Sequence, residues 1–288
     1  MGKYSVDSRL GIIGYPIGHS ISPLFQQAAL DHAGIDASYR AWEVKPEEVP
    51  EFIAGLGEPG VLGINVTVPH KEAVIPHLDE VDQWASTAGA VNTIVNREGR
   101  LTGHNTDGLG FLRALLEVNG FAPRGRRVLI LGAGGAARGV VLALVREEVS
   151  HLTIANRTLS RAERLVQIAE DAGLDALAVP LGGSELEGEA ASADLIVNCT
   201  TLGLAHGPDE QGSPLSSRQI PPTALVNDLV YNPLATPLLQ AAAQAGAQVL
   251  GGIHMLVYQG AASYEMWTGQ PAPVEVMLQA ALEAMAGR

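Results

Sequence analysis

The sequence predicts an α/β protein of two domains, the second a doubly wound parallel sheet. Three observations lead there. Apolar residues make up 47% of the 288 and aromatics only 5%, a balance rich in Gly, Ala, Val and Leu that suits close helix–sheet packing rather than a disordered or fibrous chain. From about residue 126 onward, short apolar runs alternate with helical patterns, the rhythm of parallel strands joined by crossover helices. Before that point the same alternation is interrupted once, where NTIVN and RLTGHN flank Glu98-Gly99, a tight-turn pair that predicts a hairpin.

The elements follow in order. LGIIGYP reads as the first strand, and PLFQQAALDHAG as a helix with apolar residues at helical spacing and a stop at Gly34. SYRAWEV alternates like a strand, and EEVPEFIAGLG reads as a helix closing on glycine. In GINVTVPHKE, the β-branched Ile64, Val66, Thr67 and Val68 favour a strand over 63–68. Pro69 ends it, having no N–H for a sheet ladder, and a helix is expected over about 71–78. A helix at FLRALLEVNG leads to the second rhythm. RRVLILGAGGAARGVVLALVRE is strand, glycine turn and helix. HLTIANRTLSRAERLVQIAEDAG repeats that order, with Ser160 and Glu163 in capping-box spacing. ADLIVNCTTLG, ALVNDLVYNP and QVLGG are the third to fifth strands, with LATPLLQAAAQAG a helix before the last. SELEGEA and HGPDEQGSPLSS read as polar loops. The C-terminal MLVYQGAASYEMW and PVEVMLQAALEAMAG are helices expected to pack back on the first domain. The expected division is 1–107 plus 254–288 for the first domain and 108–253 for the second.

Charge and composition limit the function. A net charge of −13 argues against nucleic acid or an anionic membrane as partner, since both require basic patches. A lone cysteine, Cys199, excludes an intrachain disulfide framework and a thiolate cluster, and it reads as a small core residue. His19, His70 and His104 lack metal-ligand spacing, so no metal is expected. MGKYSVDSRLGIIGYP has no signal-peptide core, and no apolar run is long enough for a membrane span. Met-Gly at the start matches a myristoylation signal only in outline and reads as an ordinary start. A soluble, reducing, cytoplasmic setting is expected.

VLILGAGGAARG carries the strongest single motif. Gly132-x-Gly134-x-x-Ala137 follows a strand and opens a helix: the first glycine permits the tight turn, the second lets the backbone approach a pyrophosphate, and the small third residue lets helix and strand pack closely. The helix N-terminus supplies free N–H groups for that anion. The second strand then ends in TIANRT, with Asn156 and Arg157 where a carboxylate would hold the ribose hydroxyl of NAD. A guanidinium grips a 2′-phosphate in a fork and stacks on adenine, and Arg161 adds a second charge. The second domain is therefore expected to be a Rossmann domain for NADP.

The first domain poses a narrower question. Lys71 is one of three lysines (Lys3, Lys45 and Lys71) among 18 basic residues, so this chain otherwise uses arginine. Arginine cannot release its proton under ordinary conditions, whereas lysine can in a site that favours its neutral form. Ser20 and Ser22 of GHSISP lie two apart, so an extended stretch would point both hydroxyls one way, suited to a carboxylate. Spacing alone fits an N-cap and a turn serine more simply. Asn65 and Thr67 share a strand face and could equally be ordinary sheet residues.

Taken together and in order, GHSISP, NVTVPHK, GAVNT, GHNTDG, GAGGAA, NRT, DLVYNP and GGIHMLVYQG resemble the NADP-dependent shikimate dehydrogenases of aromatic amino-acid biosynthesis. The resemblance runs over about residues 11–260. It implies a first domain that binds shikimate or 3-dehydroshikimate, a Rossmann domain, and a cleft between them that closes in turnover. By position it assigns Lys71 and Asp107 as the catalytic pair. The sequence leaves open which of the two carries the proton; the chemistry open to lysine favours Lys71 as acid–base group with Asp107 in support. Ser20 and Ser22, assisted by Tyr231, would hold the substrate carboxylate. Thr67, Asn92 and Gln259 would bind ring hydroxyls, with Asn65 lining the pocket. Gly132, Ala133, Gly134, Gly135 and Ala136 would hold the pyrophosphate, and Asn156, Arg157, Thr158 and Arg161 the 2′-phosphate end. Gly252 and Met255 would lie near the nicotinamide, with Leu229 beside them. His70 stands where that family often has an aromatic residue, and Cys199 where it often has alanine. Two rivals stand beside this reading. One is a quinate/shikimate dehydrogenase of broader specificity. The other is a ligand-sensing module without turnover, which would be expected to have lost Lys71, Asp107 or the glycine turn. A monomer and a homodimer are both compatible with the sequence.

Overall fold

The computed structural model describes residues 8–287; the Met-Gly start and Lys3 lie outside the described residues. The strands are β1 (Ser8–Gly14), β2 (Ala37–Glu43), β3 (Val61–Val66), β4 (Glu80–Val81), β5 (Thr93–Arg97), β6 (Arg100–His104), β7 (Arg127–Leu131), β8 (His151–Asn156), β9 (Ala176–Pro180), β10 (Leu195–Asn198), β11 (Leu225–Asp228) and β12 (Gln248–Gly251). The helices are α1 (Ser22–His32), α2 (Val49–Ala54), α3 (Gln83–Ala88), α4 (Asp107–Asn119), α5 (Gly135–Arg146), α6 (Leu159–Asp171), α7 (Ser184–Ala191), α8 (Pro237–Gln244), α9 (Gly252–Thr268) and α10 (Val274–Ala286). The chain forms two compact units, one of Met1–Gly110 with Val257–Arg288 and one of Phe111–Leu256.

The first unit is built on a mixed sheet in the order β2-β1-β3-β5-β6-β4. β1 runs parallel to β2 and β3, while β3, β5 and β6 are antiparallel in turn. The β5–β6 hairpin closes as expected at Glu98 and Gly99, both at positive φ (56° and 89°), the backbone a two-residue type I′ turn demands. Register places Asn65 of β3 directly opposite Thr93 of β5, which matters below. The C-terminal helices do pack back on this unit. α10 lies against α1, and Gln26 Nε2 of α1 donates to the Gly260 carbonyl of α9 (2.9 Å). Trp267 of α9 is fully buried and donates its indole N–H to the Ile94 carbonyl of β5 (3.0 Å). A core of Ile13, Ile53, Ile64, Val66, Val91 and Ile94 fills the other side of that sheet.

The second unit holds an all-parallel sheet in the order β12-β11-β10-β7-β8-β9, the doubly wound topology. Its β7, β10 and β11 are buried at nearly every position, as expected of parallel strands covered on both faces.

Four elements differ from the sequence expectation. Residues 71–78 form turns and a single 3₁₀ turn, Ile75–His77. Pro76 has no N–H for the Glu72 carbonyl, and its ring clashes there, so an α-helix cannot continue. The Ser160–Glu163 capping box is not formed. The β8–α6 connection uses only two residues, and α6 begins at Leu159 behind an extended Thr158 with no side-chain cap. SELEGEA is helical, within α7, because Leu186 and Ala190 four apart bury one apolar stripe. The sheet also has a sixth strand, β9, an edge strand of five residues paired only with β8. Among the described residues, β4 and the short α3, capped by Asp82 Oδ1 accepting from Ala85 N (2.6 Å), had no clear sequence signal.

Candidate active site

Lys71 is brought to its place by the end of β3. The Thr67 N–H donates to the Ile13 carbonyl (2.9 Å), His70 N to Thr67 O (2.9 Å), and the Lys71 carbonyl accepts from Val91 N (2.8 Å). Asp107 is the first residue of α4, where a carboxylate is favoured by the helix dipole; its N–H donates to Asn105 Oδ1 (3.0 Å). These two anchors set the pair: Lys71 Nζ donates to Asp107 Oδ2 at 2.6 Å. Only 28% of the lysine side chain and 20% of the aspartate side chain are exposed, so the pair is shielded yet reachable. Asn92 completes the group, donating from Nδ2 to Asp107 Oδ1 (2.8 Å) and to Gln259 Oε1 (3.3 Å). Four residues from four separate segments therefore converge.

The remaining first-unit candidates are placed differently. Ser22 opens α1, and its N–H donates to Ser20 Oγ (3.2 Å), so the two serines sit together at a helix N-terminus, a setting that favours an anion. Thr67 is half-buried beyond β3 and has no hydrogen bond to the Lys71 cluster. Asn65 is only 5% exposed, and its amide is engaged inside the unit, accepting from Tyr39 Oη (2.7 Å) and donating to Asn92 O, Thr93 Oγ1 and Ser263 Oγ (3.1, 3.2 and 2.9 Å). Of the histidines, His104 pairs with Asp82 (2.6 Å) and His70 is fully buried with Nε2 on the Val44 carbonyl (2.7 Å). Among the described residues no group of three or more His, Cys, Asp or Glu side chains is arranged to hold a metal ion.

Sequence reasoning missed Tyr39, Thr93, Asn105, Thr106 and Ser263. Thr93 lies within GAVNT and Asn105 and Thr106 within GHNTDG, and Ser263 lies four residues after Gln259, hence on the same face of α9. Tyr39 had no signal, since only the tertiary fold carries it to Asn65.

In the second unit the glycine turn has the geometry its motif implies. Gly132 has φ 103°, and a Cβ there would lie 3.0–3.1 Å from Thr200 and Cys199. Gly134 is extended (φ −97°, ψ −168°), with no side chain capping α5. No atom lies within 4 Å of where a Cβ of Gly134 or Gly135 would project. Ala133 is half-buried and Ala136 exposed, while Ala137 is fully buried against the sheet. The loop is thus an open cradle of backbone amides that fits a pyrophosphate. At the end of β8, Asn156 Nδ2 donates to Thr158 O (2.9 Å), holding the turn that carries Arg157. Arg157 and Arg161 are both exposed, so their guanidinium groups are available to a phosphate.

Leu229 and Tyr231 follow β11, and a buried polar network fixes that loop. Asp228, fully buried, accepts from Asn198 Nδ2 (2.9 Å), Val230 N (3.0 Å) and Thr236 Oγ1 (2.6 Å). Burial pushes its carboxyl pKa up, and the three donors oppose that shift. Burial, and after it the Asp228 charge, push the Cys199 thiol up as well, which keeps the thiol unreactive; the residue is half-buried with its backbone against Gly132, not in the core as its size suggested. Gly252 opens α9 directly over the loop, since a Cβ there would lie 2.6 Å from the Leu229 carbonyl carbon; Met255 follows, half-buried. Tyr231 and all the cofactor-side candidates belong to the second unit, and the other substrate-side candidates to the first.

A glycine-turn dinucleotide unit joined in one chain to a unit bearing a shielded lysine–carboxylate pair defines a pyridine-dinucleotide oxidoreductase. Comparison with known proteins agrees and narrows it. Residues 12–94 match the shikimate dehydrogenase substrate binding domain, residues 117–205 the shikimate / quinate 5-dehydrogenase model, and residues 252–282 the shikimate 5′-dehydrogenase C-terminal domain. The NADP(+) shikimate dehydrogenase of Methanopyrus kandleri is 48% identical over 284 residues, 97% of each chain. The crystal structure of Thermus thermophilus shikimate 5-dehydrogenase with NADP(H) and shikimate superposes with a TM-score of 0.85 at 40% identity, covering 96% of this chain and 99% of that one. A quinate dehydrogenase of Corynebacterium glutamicum in complex with NAD gives 0.87 at 33% identity, covering 96% and 99%. The chain belongs to the shikimate dehydrogenase family.

Proposed function

We propose that this chain catalyses the reversible, NADPH-dependent reduction of 3-dehydroshikimate to shikimate, a step of aromatic amino-acid biosynthesis. The observation that carries this reading is the Lys71–Asp107 pair, 2.6 Å apart and held by Asn92. NADPH, when bound, supplies the hydride. Lys71 supplies the proton to the forming alkoxide, or takes it in reverse, and its ammonium stabilises oxyanion character at the carbonyl. Asp107 orients that ammonium. Ser20 and Ser22, with Tyr231, hold the carboxylate; Thr67, Asn92 and Gln259 hold the ring hydroxyls, with Asn65 beneath them. Gly132 to Ala136 take the pyrophosphate, Asn156, Arg157, Thr158 and Arg161 the 2′-phosphate end, and Leu229, Gly252 and Met255 flank the nicotinamide. The protein works in the cytoplasm as a monomer or homodimer, without nucleic acid. Among the described residues no helix is long and apolar enough to cross a membrane.

The test follows cofactor absorbance with 3-dehydroshikimate and NADPH or NADH. Rapid oxidation of NADPH with little of NADH supports the reading, and no turnover with either overturns it. Similarity to a quinate dehydrogenase makes quinate with NAD the necessary control; a higher kcat/KM there would make quinate the substrate.

Two further outcomes are expected. Arg157→Ala should lower kcat/KM for NADPH about 10- to 100-fold, as expected for losing charged hydrogen bonds of about 1.5–3 kcal/mol, and leave NADH nearly unchanged. An equal fall for both cofactors would remove Arg157 from phosphate recognition. Gly110→Ala would place a Cβ 2.5 Å from Gln259 N and 2.7 Å from its Cβ, pushing α9 away at that residue. Substrate KM should rise about tenfold, because a displacement near 1 Å misaligns a binding group. An unchanged KM would show that Gln259 does not bind substrate.

A further inference from the structure

Behind the catalytic pair lies a chain of buried polar side chains, of which Tyr39, Thr93, Thr106 and Ser263 have no part in the proposed reaction. Tyr39 on β2 donates to Asn65 Oδ1 (2.7 Å). That bond fixes which way the Asn65 amide faces, so its Nδ2 points to Thr93 Oγ1 (3.2 Å) and Ser263 Oγ (2.9 Å). Thr93 Oγ1 and Ser263 Oγ are 2.7 Å apart, and Thr93 donates to Asn92 Oδ1 (3.0 Å). Asn92 Oδ1 also accepts from Thr106 N (2.8 Å) and Thr106 Oγ1 (3.2 Å). With donors crowding its oxygen, Asn92 can face Asp107 only with its NH₂ group, the one orientation that braces the carboxylate holding Lys71. Thr93, Thr106 and Ser263 are fully buried, and Tyr39, Asn65 and Asn92 nearly so.

Such a network is costly to bury unless every member is satisfied, and an apolar core would serve stability as well. Its presence under the reacting groups therefore calls for a reason other than packing. We infer that Tyr39, Asn65, Thr93 and Ser263 are positioning residues, which lock the Asn92 amide in the orientation that holds Asp107 and Lys71 for proton transfer. Burial keeps the Tyr39 phenol neutral by raising its pKa, so it remains a donor throughout the working pH range. The inference rests on the dehydrogenase reading for its kinetic consequence, but not for the geometry.

The experiment compares Thr93→Val, which keeps the shape and removes the hydroxyl, with Thr93→Ser, which restores it. Thr93→Val should lower kcat at least tenfold with KM for NADPH unchanged, and Thr93→Ser should return it to within about threefold of the parent. Lysine scarcity allows a second readout that needs no turnover: the rate at which Lys71 reacts with acetic anhydride, read by mass spectrometry against exposed Lys45. Loosened from Asp107, Lys71 should react several-fold faster in Thr93→Val while Lys45 does not change. If Thr93→Val does not fold, Tyr39→Phe at the far end decides, with the same directions at about threefold. A kcat within twofold of the parent and unchanged Lys71 reactivity in the folded variant overturn the inference. Inactive parent protein with altered Lys71 reactivity in the variant would instead overturn the dehydrogenase reading and leave the positioning role standing.

Discussion

Lys71→Ala should lower kcat by about 10²–10⁴-fold, the range general acid–base groups contribute, while substrate KM moves only a few-fold. The expectation follows from what the substitution leaves behind. Asp107 keeps its Asn92 and backbone anchors, so the arrangement around its carboxylate is retained. What is lost is the group proposed to move a proton to or from the reacting oxygen. Lys71→Arg is the sharper variant, because it keeps the positive charge beside Asp107 but replaces the ammonium with a guanidinium that does not give up its proton. It should remain at least 10²-fold slow. Recovery of kcat by arginine would mean that Lys71 acts by charge alone, and near-normal kcat in Lys71→Ala would remove it from the chemistry.

Gly63→Ala should cost about 3 kcal/mol or more of stability, a fall in Tm on the order of 10 °C. Gly63 has φ 150°, which a residue with a Cβ rarely adopts, and a Cβ there would overlap the Ile94 carbonyl oxygen and sit 2.5 Å from Trp267 Nε1. Both atoms are partners in the buried Trp267–Ile94 hydrogen bond that ties α9 to β5. The substitution must therefore strain β3, displace the largest buried side chain of the unit, or break that bond, and overpacking alone typically costs 1–3 kcal/mol. Thermal unfolding of Gly63→Ala against the parent measures this, and a Tm within 2 °C would show that the sheet yields locally instead.

Much of the site was legible because its chemistry is carried by short motifs. The glycine turn, the arginine after β8 and the out-of-place lysine each need a particular residue type at a particular point of a strand end, and local geometry enforces that spacing. Elements were legible where periodicity was long, as in α4 or α5, and illegible where it was short. β9 is five residues at a sheet edge, and α7 has one apolar pair in a polar stretch. The helix expected over 71–78 failed at Pro76, a local signal that the apolar spacing had outweighed.

What the sequence alone determined was the order of the long elements and the glycine turn after β7, and it singled out Lys71 as a candidate for proton transfer, because these signals depend on neighbours within a few positions. Only the tertiary structure decided that Asn92 would brace Asp107, that Asn65 would face inward on Tyr39, and that Ser263 from the far end of the chain would meet Thr93. Those contacts span up to 170 residues. They exist because the β3–β5 register and the seating of α9 bury polar groups together, where each must find a partner, and no local pattern records which partner that will be.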